Sequence, residues 1–235
     1  NGYGMEIGIK ELSALMLALQ GMGTKTLNLV TATHFIPSIV EALIIAKKKG
    51  LTLDVVWNSS GFESIEGLSL IDPSIDLYLI DLKTLDEGVS SRFCGGVRYQ
   101  RSILQVYDYL IKKGMNTFID EDGLLKGVLV RHLLFPGEPA ATEEVLRYFA
   151  DHLKESMYLS LMVQFEDPQG MNRFPKVSHE EYDRLLELLE ELEIENGFVQ
   201  EIEDSISWIP DFTQDEPFPP TFSEVCPYFL ELKRS

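Results

Sequence analysis

Short apolar runs rich in β-branched residues alternate along this chain with longer stretches of helical period. Residues 11–22 set Leu12, Leu15, Met16 and Leu19 on one face before Gly21 and Gly23, which predicts an amphipathic helix with a glycine stop. A buried-strand pattern at 27–31 follows, then a helix over 37–49 with Pro37 in its first turn and Gly50 at its end. The same alternation predicts strands at 53–57, 75–82, 128–134 and 157–163, and helices at 64–71, 99–113 and 142–154. A further short strand is read at 115–119, with a turn at 121–123. Ser178-His179-Glu180-Glu181 is a capping box that opens an acidic helix to about Glu193, and 198–200 reads as a last strand. Beyond Pro210 proline and aromatics dominate without a period. The expected organisation is a body over 1–212 and a tail over 213–235 packed on it.

Strands that are apolar throughout and separated by helices predict a parallel sheet covered by helices, either doubly wound or a barrel. No Gly-x-Gly-x-x-Gly follows a strand, which weakens a dinucleotide-binding reading. In both architectures ligands meet the C-terminal strand ends. Those ends carry Thr31 and Thr33 with His34, Asn58 and Ser60 before Gly61, Asp81 and Lys83, Arg131 and His132, and Gln164. Hydroxyls, amides, a carboxylate and three kinds of cationic or imidazole group on one rim suit a polar small molecule better than a metal. Each has a plain structural reading as well. Asp81 and Lys83 stand two apart on a strand and can simply pair. Both histidines can be packing residues, the threonines strand or cap residues, and Asn58 and Gly61 turn formers. The functional reading rests on their convergence.

Composition narrows the field. With 235 residues, 45% hydrophobic and 25% charged, the chain is ordinary globular material with ample length for a core. Lys and Arg number 20 against 38 Asp and Glu, a net charge of −18 that opposes nucleic-acid and anionic-membrane partners. No apolar run reaches membrane-spanning length. The two cysteines, Cys94 and Cys226, make neither a disulfide framework nor a metal knuckle, and a cytoplasmic location is expected. The chain opens at Asn1-Gly2-Tyr3-Gly4, which reads as the middle of a loop, so a segment ahead of it is expected.

Taken in order, five stretches resemble the radical S-adenosylmethionine (SAM) superfamily, in particular the branch related to pyruvate formate-lyase activating enzymes. They are Leu27-Asn-Leu-Val-Thr-Ala-Thr-His34, Val56-Trp-Asn-Ser-Ser-Gly61, Asp76-Leu-Tyr-Leu-Ile-Asp-Leu-Lys83, Gly127-Val-Leu-Val-Arg-His-Leu-Leu-Phe-Pro-Gly137 and Asn196-Gly-Phe-Val-Gln200. The resemblance runs from about residue 8 to about residue 212. It implies a partial (β/α)6 TIM-like barrel, here without its first strand and cluster loop. It further implies an oxidoreductase in which a four-iron cluster (4Fe-4S) reduces SAM to a 5′-deoxyadenosyl radical that abstracts hydrogen. The family's Cys-x-x-x-Cys-x-x-Cys is absent, so the cluster ligands of an intact enzyme are expected outside this chain, which alone is expected to be inactive. Residue by residue, the resemblance places Thr31, Thr33, Asn58, Ser60, Asp81, Lys83, Arg131, His132 and Gln164 around SAM. Thr-Ala-Thr stands where many members have glycine-glycine-glutamate. The expected partners are a glycyl-radical enzyme or other protein substrate, and an electron donor such as flavodoxin or ferredoxin. Two alternatives compete: an inactive barrel acting as a binding module, and a lysine-dependent barrel decarboxylase using Asp81, Lys83 and Asp86.

Overall fold

The computed structural model describes residues 6–96, 98–163, 165 and 174–202. The expected tail at 213–235 and the candidate Gln164 lie outside the described residues. Two compact units emerge, one comprising Asn28–Ile36 and Asp54–Ile202, the other including the chain up to Leu27 and Pro37–Leu53. In the latter, helices α1 (Ile9–Gly21) and α2 (Ile36–Lys48) bury Met16, Ile39, Ala42, Leu43 and Ala46. There the Gln20 amide donates to the Gly50 carbonyl (3.0 Å) and accepts from the Thr52 N–H (2.7 Å).

The larger unit holds the sheet. Its strands are β1 (Thr26–Val30, from Asn28 onward), β2 (Asp54–Ser59), β3 (Leu77–Asp81), β4 (Phe118–Ile119), β5 (Leu125–Leu133), β6 (Tyr158–Met162) and β7 (Gly197–Val199). The order is β1-β2-β3-β5-β6-β7, with β4 pairing β5 off this path. Pairs β2–β3, β3–β5, β5–β6 and β6–β7 are all parallel. The sheet does not close on itself, and among the described residues β1 and β7 are its two edges. The alternation of strands and helices predicts such a parallel sheet without choosing between doubly wound and barrel, and the unclosed sheet agrees with the partial barrel that the resemblance implies.

Helices α3 (Ile65–Ile71), α4 (Glu87–Phe93), α5 (Tyr99–Lys112), α6 (Pro139–His152) and α7 (His179–Glu191) complete the unit. Short side chains mark their starts. Ser64 accepts from the Gly67 N–H, Asp86 from the Val89 N–H (2.7 Å), and Ser178 and Glu181 form the reciprocal capping box.

Alternation along the strands separates two faces. Val55, Trp57, Tyr78, Ile80, Leu82, Val128, Val130 and His132 are buried, and the His132–Thr142 contact sets α6 against that face. Asn58, Leu79, Asp81, Leu129, Arg131 and Ser160 point the other way and are half-buried. That second face is the more open of the two.

Three elements differ from the sequence reading. Helix α4 has no apolar period to announce it, and its start depends on the Asp86 cap. The strand expected at 115–119 shrinks to Phe118–Ile119, because it is the antiparallel arm of a hairpin with β5 and not a member of the parallel run. Strand β5 accordingly starts at Leu125, three residues earlier than the apolar run predicts. Gly127 permits the hairpin: its φ is +92°, and a Cβ there would lie 2.2 Å from the Asn116 carbonyl oxygen. Among the described residues no helix is long and apolar enough to cross a membrane.

Candidate functional site

Strand register decides which rim residues meet. Asp81 is the partner of Arg131 across β3 and β5. Arg131 Nε and Nη2 both donate to Asp81 Oδ1, at 2.9 and 2.6 Å. Lys83 Nζ stands 3.7 Å from Asp81 Oδ2. One carboxylate thus lies between two cations, leaving a net positive cluster of which Lys83 is the most open member, 32% exposed. Leu82, between Asp81 and Lys83, is fully buried on the opposite face.

The backbone beneath this cluster is held by side chains. The Tyr107 hydroxyl donates to the Ile80 carbonyl (3.0 Å), and Leu82 N–H donates to the Arg131 carbonyl (2.8 Å). The Tyr99 hydroxyl donates to the Asp81 carbonyl (2.6 Å) and accepts from the Lys83 N–H (3.0 Å). Burial raises the Tyr99 and Tyr107 phenols well above their ordinary range, so both stay protonated donors. Sequence reasoning placed neither tyrosine near the site. The available signal is that a buried phenol requires a polar partner.

His132 does not join the cluster. It follows Arg131 on one strand and so faces the other way, fully buried. A carbonyl only accepts, so Nδ1–H donates to the Leu82 carbonyl (2.7 Å), and Nε2 accepts from the Thr142 hydroxyl (3.1 Å). Burial pushes its pKa down to about 4, which keeps it neutral. A ligand on the open face does not meet this ring.

The β1 and β2 rim is bound together by a residue the sequence reading omitted. Glu63 is buried, and its Oε1 accepts from the Thr33 hydroxyl (2.9 Å), the Trp57 indole N–H (3.2 Å) and the Ser59 hydroxyl. Its Oε2 is buried without a hydrogen-bond partner among the described residues. Thr33 is therefore already engaged in a loop-to-loop contact. Thr31 N–H donates to the Asn58 carbonyl (2.8 Å), and Thr31 itself sits at φ +52°, a left-handed conformation that a β-branched residue rarely adopts. Asn58 and Ser60 are half-buried at the same rim.

Beyond β5 and β6 an aromatic group lies next to these charges. Phe93 stacks on Phe135 with centroids 4.5 Å apart, and Phe165 meets both edge-on at 5.8 and 5.9 Å. Cys94 packs into that group, and burial raises its thiol, with the Lys83 charge opposing the rise. Of the three residues of the decarboxylase reading, Lys83 stands beside Asp81, and Asp86 Oδ1 accepts from the Val89 N–H at the start of α4. A cavity of about 300 Å³ lies elsewhere, between the segment after β5 and α7, walled by Leu134, Phe135, Val177, Leu185 and Leu188. None of the described rim candidates lines it.

No group of three His, Cys, Asp or Glu side chains converges as metal ligands among the described residues. The whole chain contains two cysteines, so these residues do not fit a four-iron cluster held by three thiolates. Two cations around one carboxylate carry charges that complement a small zwitterion.

An unclosed parallel α/β sheet with its polar groups at the C-terminal strand ends is a fold that several solved enzymes share. The chain is similar to a domain of pyruvate-formate lyase-activating enzyme from Bacteroides vulgatus ATCC 8482 (TM-score 0.55, 12% identity, 76% of this chain and 100% of that one). It is also similar to Streptococcus suis SuiB bound to S-adenosylmethionine (TM-score 0.59, 10% identity, 84% of this chain and 44% of that one). A third similar structure is HydG, a maturase of the [FeFe]-hydrogenase (TM-score 0.52, 15% identity, 79% and 43%). At such identities the likeness establishes the fold. In sequence, the chain is 26% identical over 179 residues to the uncharacterized protein MJ0674 of Methanocaldococcus jannaschii. That match takes in 73% of this chain and 48% of the relative, so the chain spans about half the relative's length. No protein-family model matches.

Proposed function

We propose that this chain binds SAM as part of a radical SAM oxidoreductase resembling the pyruvate formate-lyase activating enzymes. The observation that carries the reading is the Asp81–Arg131–Lys83 cluster on the open face of a parallel sheet similar in fold to these solved enzymes. Lys83 and Arg131 would hold the methionine carboxylate and Asp81 the ammonium group, while Asn58 and Ser60 offer hydrogen bonds at the neighbouring rim. In such an enzyme SAM supplies a 5′-deoxyadenosyl radical for hydrogen abstraction. The thiolates of the reducing cluster would come from outside these residues, and no electron-transfer step is assigned to this chain. A glycyl-radical enzyme or another protein as hydrogen donor, and a flavodoxin or ferredoxin as reductant, are the partners this reading proposes.

Calorimetric titration with SAM tests it. Asp81→Asn and Lys83→Met each weaken binding by ~1–3 kcal/mol, the scale of a charge-assisted hydrogen bond. Stability changes by no more than ~1 kcal/mol, since the pair is part-exposed. Large melting losses with unaltered SAM affinity make the cluster a scaffold element. Failure of the unaltered chain to bind SAM removes the reading.

A further inference from the structure

The structure assigns to Tyr99 the positioning of Lys83, an inference that rests on the reading of Lys83 as a ligand-binding residue. Regular pairing of β3 stops at Asp81, whose register partner is Arg131. One residue on, Leu82 N–H still donates to the Arg131 carbonyl (2.8 Å). At Lys83 the chain has left the ladder, and its N–H needs a different acceptor. The Tyr99 hydroxyl supplies it at 3.0 Å and donates its own proton to the Asp81 carbonyl at 2.6 Å. A single phenol therefore bridges the backbone of both charged rim residues.

Three surroundings hold that phenol where it is. Tyr99 is 3% exposed, it opens helix α5, and its ring stacks on Phe62 with centroids 6.4 Å apart. Its phenolic proton is kept by burial, so the donor role does not lapse at any ordinary pH. The residue between the two charges is tied as well, with the Leu82 side chain buried and its carbonyl bound to His132. The Lys83 ammonium, by contrast, has one loose ion pair, at 3.7 Å, among the described residues and is a third exposed. A side chain so lightly held at its head takes its position from its backbone. Tyr99 thereby determines where the ammonium meets a ligand while touching no ligand itself.

Tyr99→Phe keeps the ring and its stack and removes both hydrogen bonds. Tyr107→Phe is the matched control, since it removes a buried phenol's bond to the Ile80 carbonyl on the same strand. In the ligand-free protein, amide hydrogen exchange at Lys83 accelerates at least about tenfold in Tyr99→Phe and is unchanged in Tyr107→Phe, the factor expected for losing one buried hydrogen bond. With SAM as the probe, Tyr99→Phe weakens binding by about tenfold, whereas Tyr107→Phe leaves affinity within about twofold while lowering the melting temperature. In a Lys83→Met background, Tyr99→Phe causes no further loss of affinity. Unaltered exchange at Lys83 in Tyr99→Phe overturns the assignment, as do affinity losses that add in the double variant. Should Tyr99→Phe fail to fold, exchange in the unaltered protein decides: a Lys83 amide as protected as that of Leu82 supports the assignment, and one exchanging like an open loop refutes it. A chain that binds no SAM refutes the functional reading alone, because the exchange measurements still judge Tyr99.

Discussion

Arg131 and His132 are neighbours in sequence with opposite fates, and the period of two along a strand is the reason. Arg131 reaches Asp81 on the open face, while His132 lies under α6 between a carbonyl and a hydroxyl. Convergence of polar residues at strand ends put both on the same candidate list, and alternation alone already shows that only one can reach the open face. The buried histidine makes stability depend on pH. Its folded pKa of about 4 lies below the ordinary 6.5, so below pH 6.5 the unfolded chain binds more protons than the folded one. The stabilisation is complete above pH 6.5 and is lost as pH falls toward 4. Between pH 7 and pH 5 the unaltered protein should lose about 2 kcal/mol more unfolding free energy than His132→Gln, whose amide can make both hydrogen bonds without a charge to gain. Urea denaturation at the two pH values measures this. Equal losses in the two proteins contradict a neutral, proton-excluding site.

Where helix meets rim loop, Gly61 sets the spacing. Its φ is +77°, and a Cβ at that position would stand 2.1 Å from Ile103 Cδ1 of α5. Glycine was legible there as a turn former after a strand, but its close approach to α5 was not, since Ile103 is 42 residues away in the chain and joins it only in the folded state. Gly61→Ala should cost about 2–3 kcal/mol, part from the left-handed backbone and part from the collision. In an Ile103→Val background, which removes the colliding methyl, the same change should cost about 1 kcal/mol, the backbone share. Costs that simply add would show that the helix does not press on this loop. Helix α4 teaches a related point: seven residues without an apolar period are placed by one carboxylate cap and by Val89 packing with Phe135 and Ala141. Tertiary contact decides such an element, and no local pattern announces it.

For the molecule as a whole, the count of thiols limits the chemistry more firmly than any single geometry. Two cysteines, Cys94 and Cys226, supply fewer thiolates than the three that a SAM-binding four-iron cluster requires. Anaerobic reconstitution of this chain with iron and sulfide should leave far less than four irons per chain, read by iron determination and visible absorption. A stoichiometric four-iron cluster on these 235 residues would overturn the ligand argument. The alternation of strands and helices, the rim positions of Thr31, Asn58, Asp81, Lys83 and Arg131, and the shared face of Asp81 and Lys83 all follow from the sequence by itself. Periods of two and 3.6 are local properties, and parallel sheets expose their strand ends at one rim. Other features exist only in the folded chain. Arg131 meets Asp81 across 50 residues because strand register, set by packing over the whole sheet, aligns β3 with β5. The phenol of Tyr99 and the carboxylate of Glu63 become part of the rim through burial, which forces each polar group to find its partner among whatever the fold brings near.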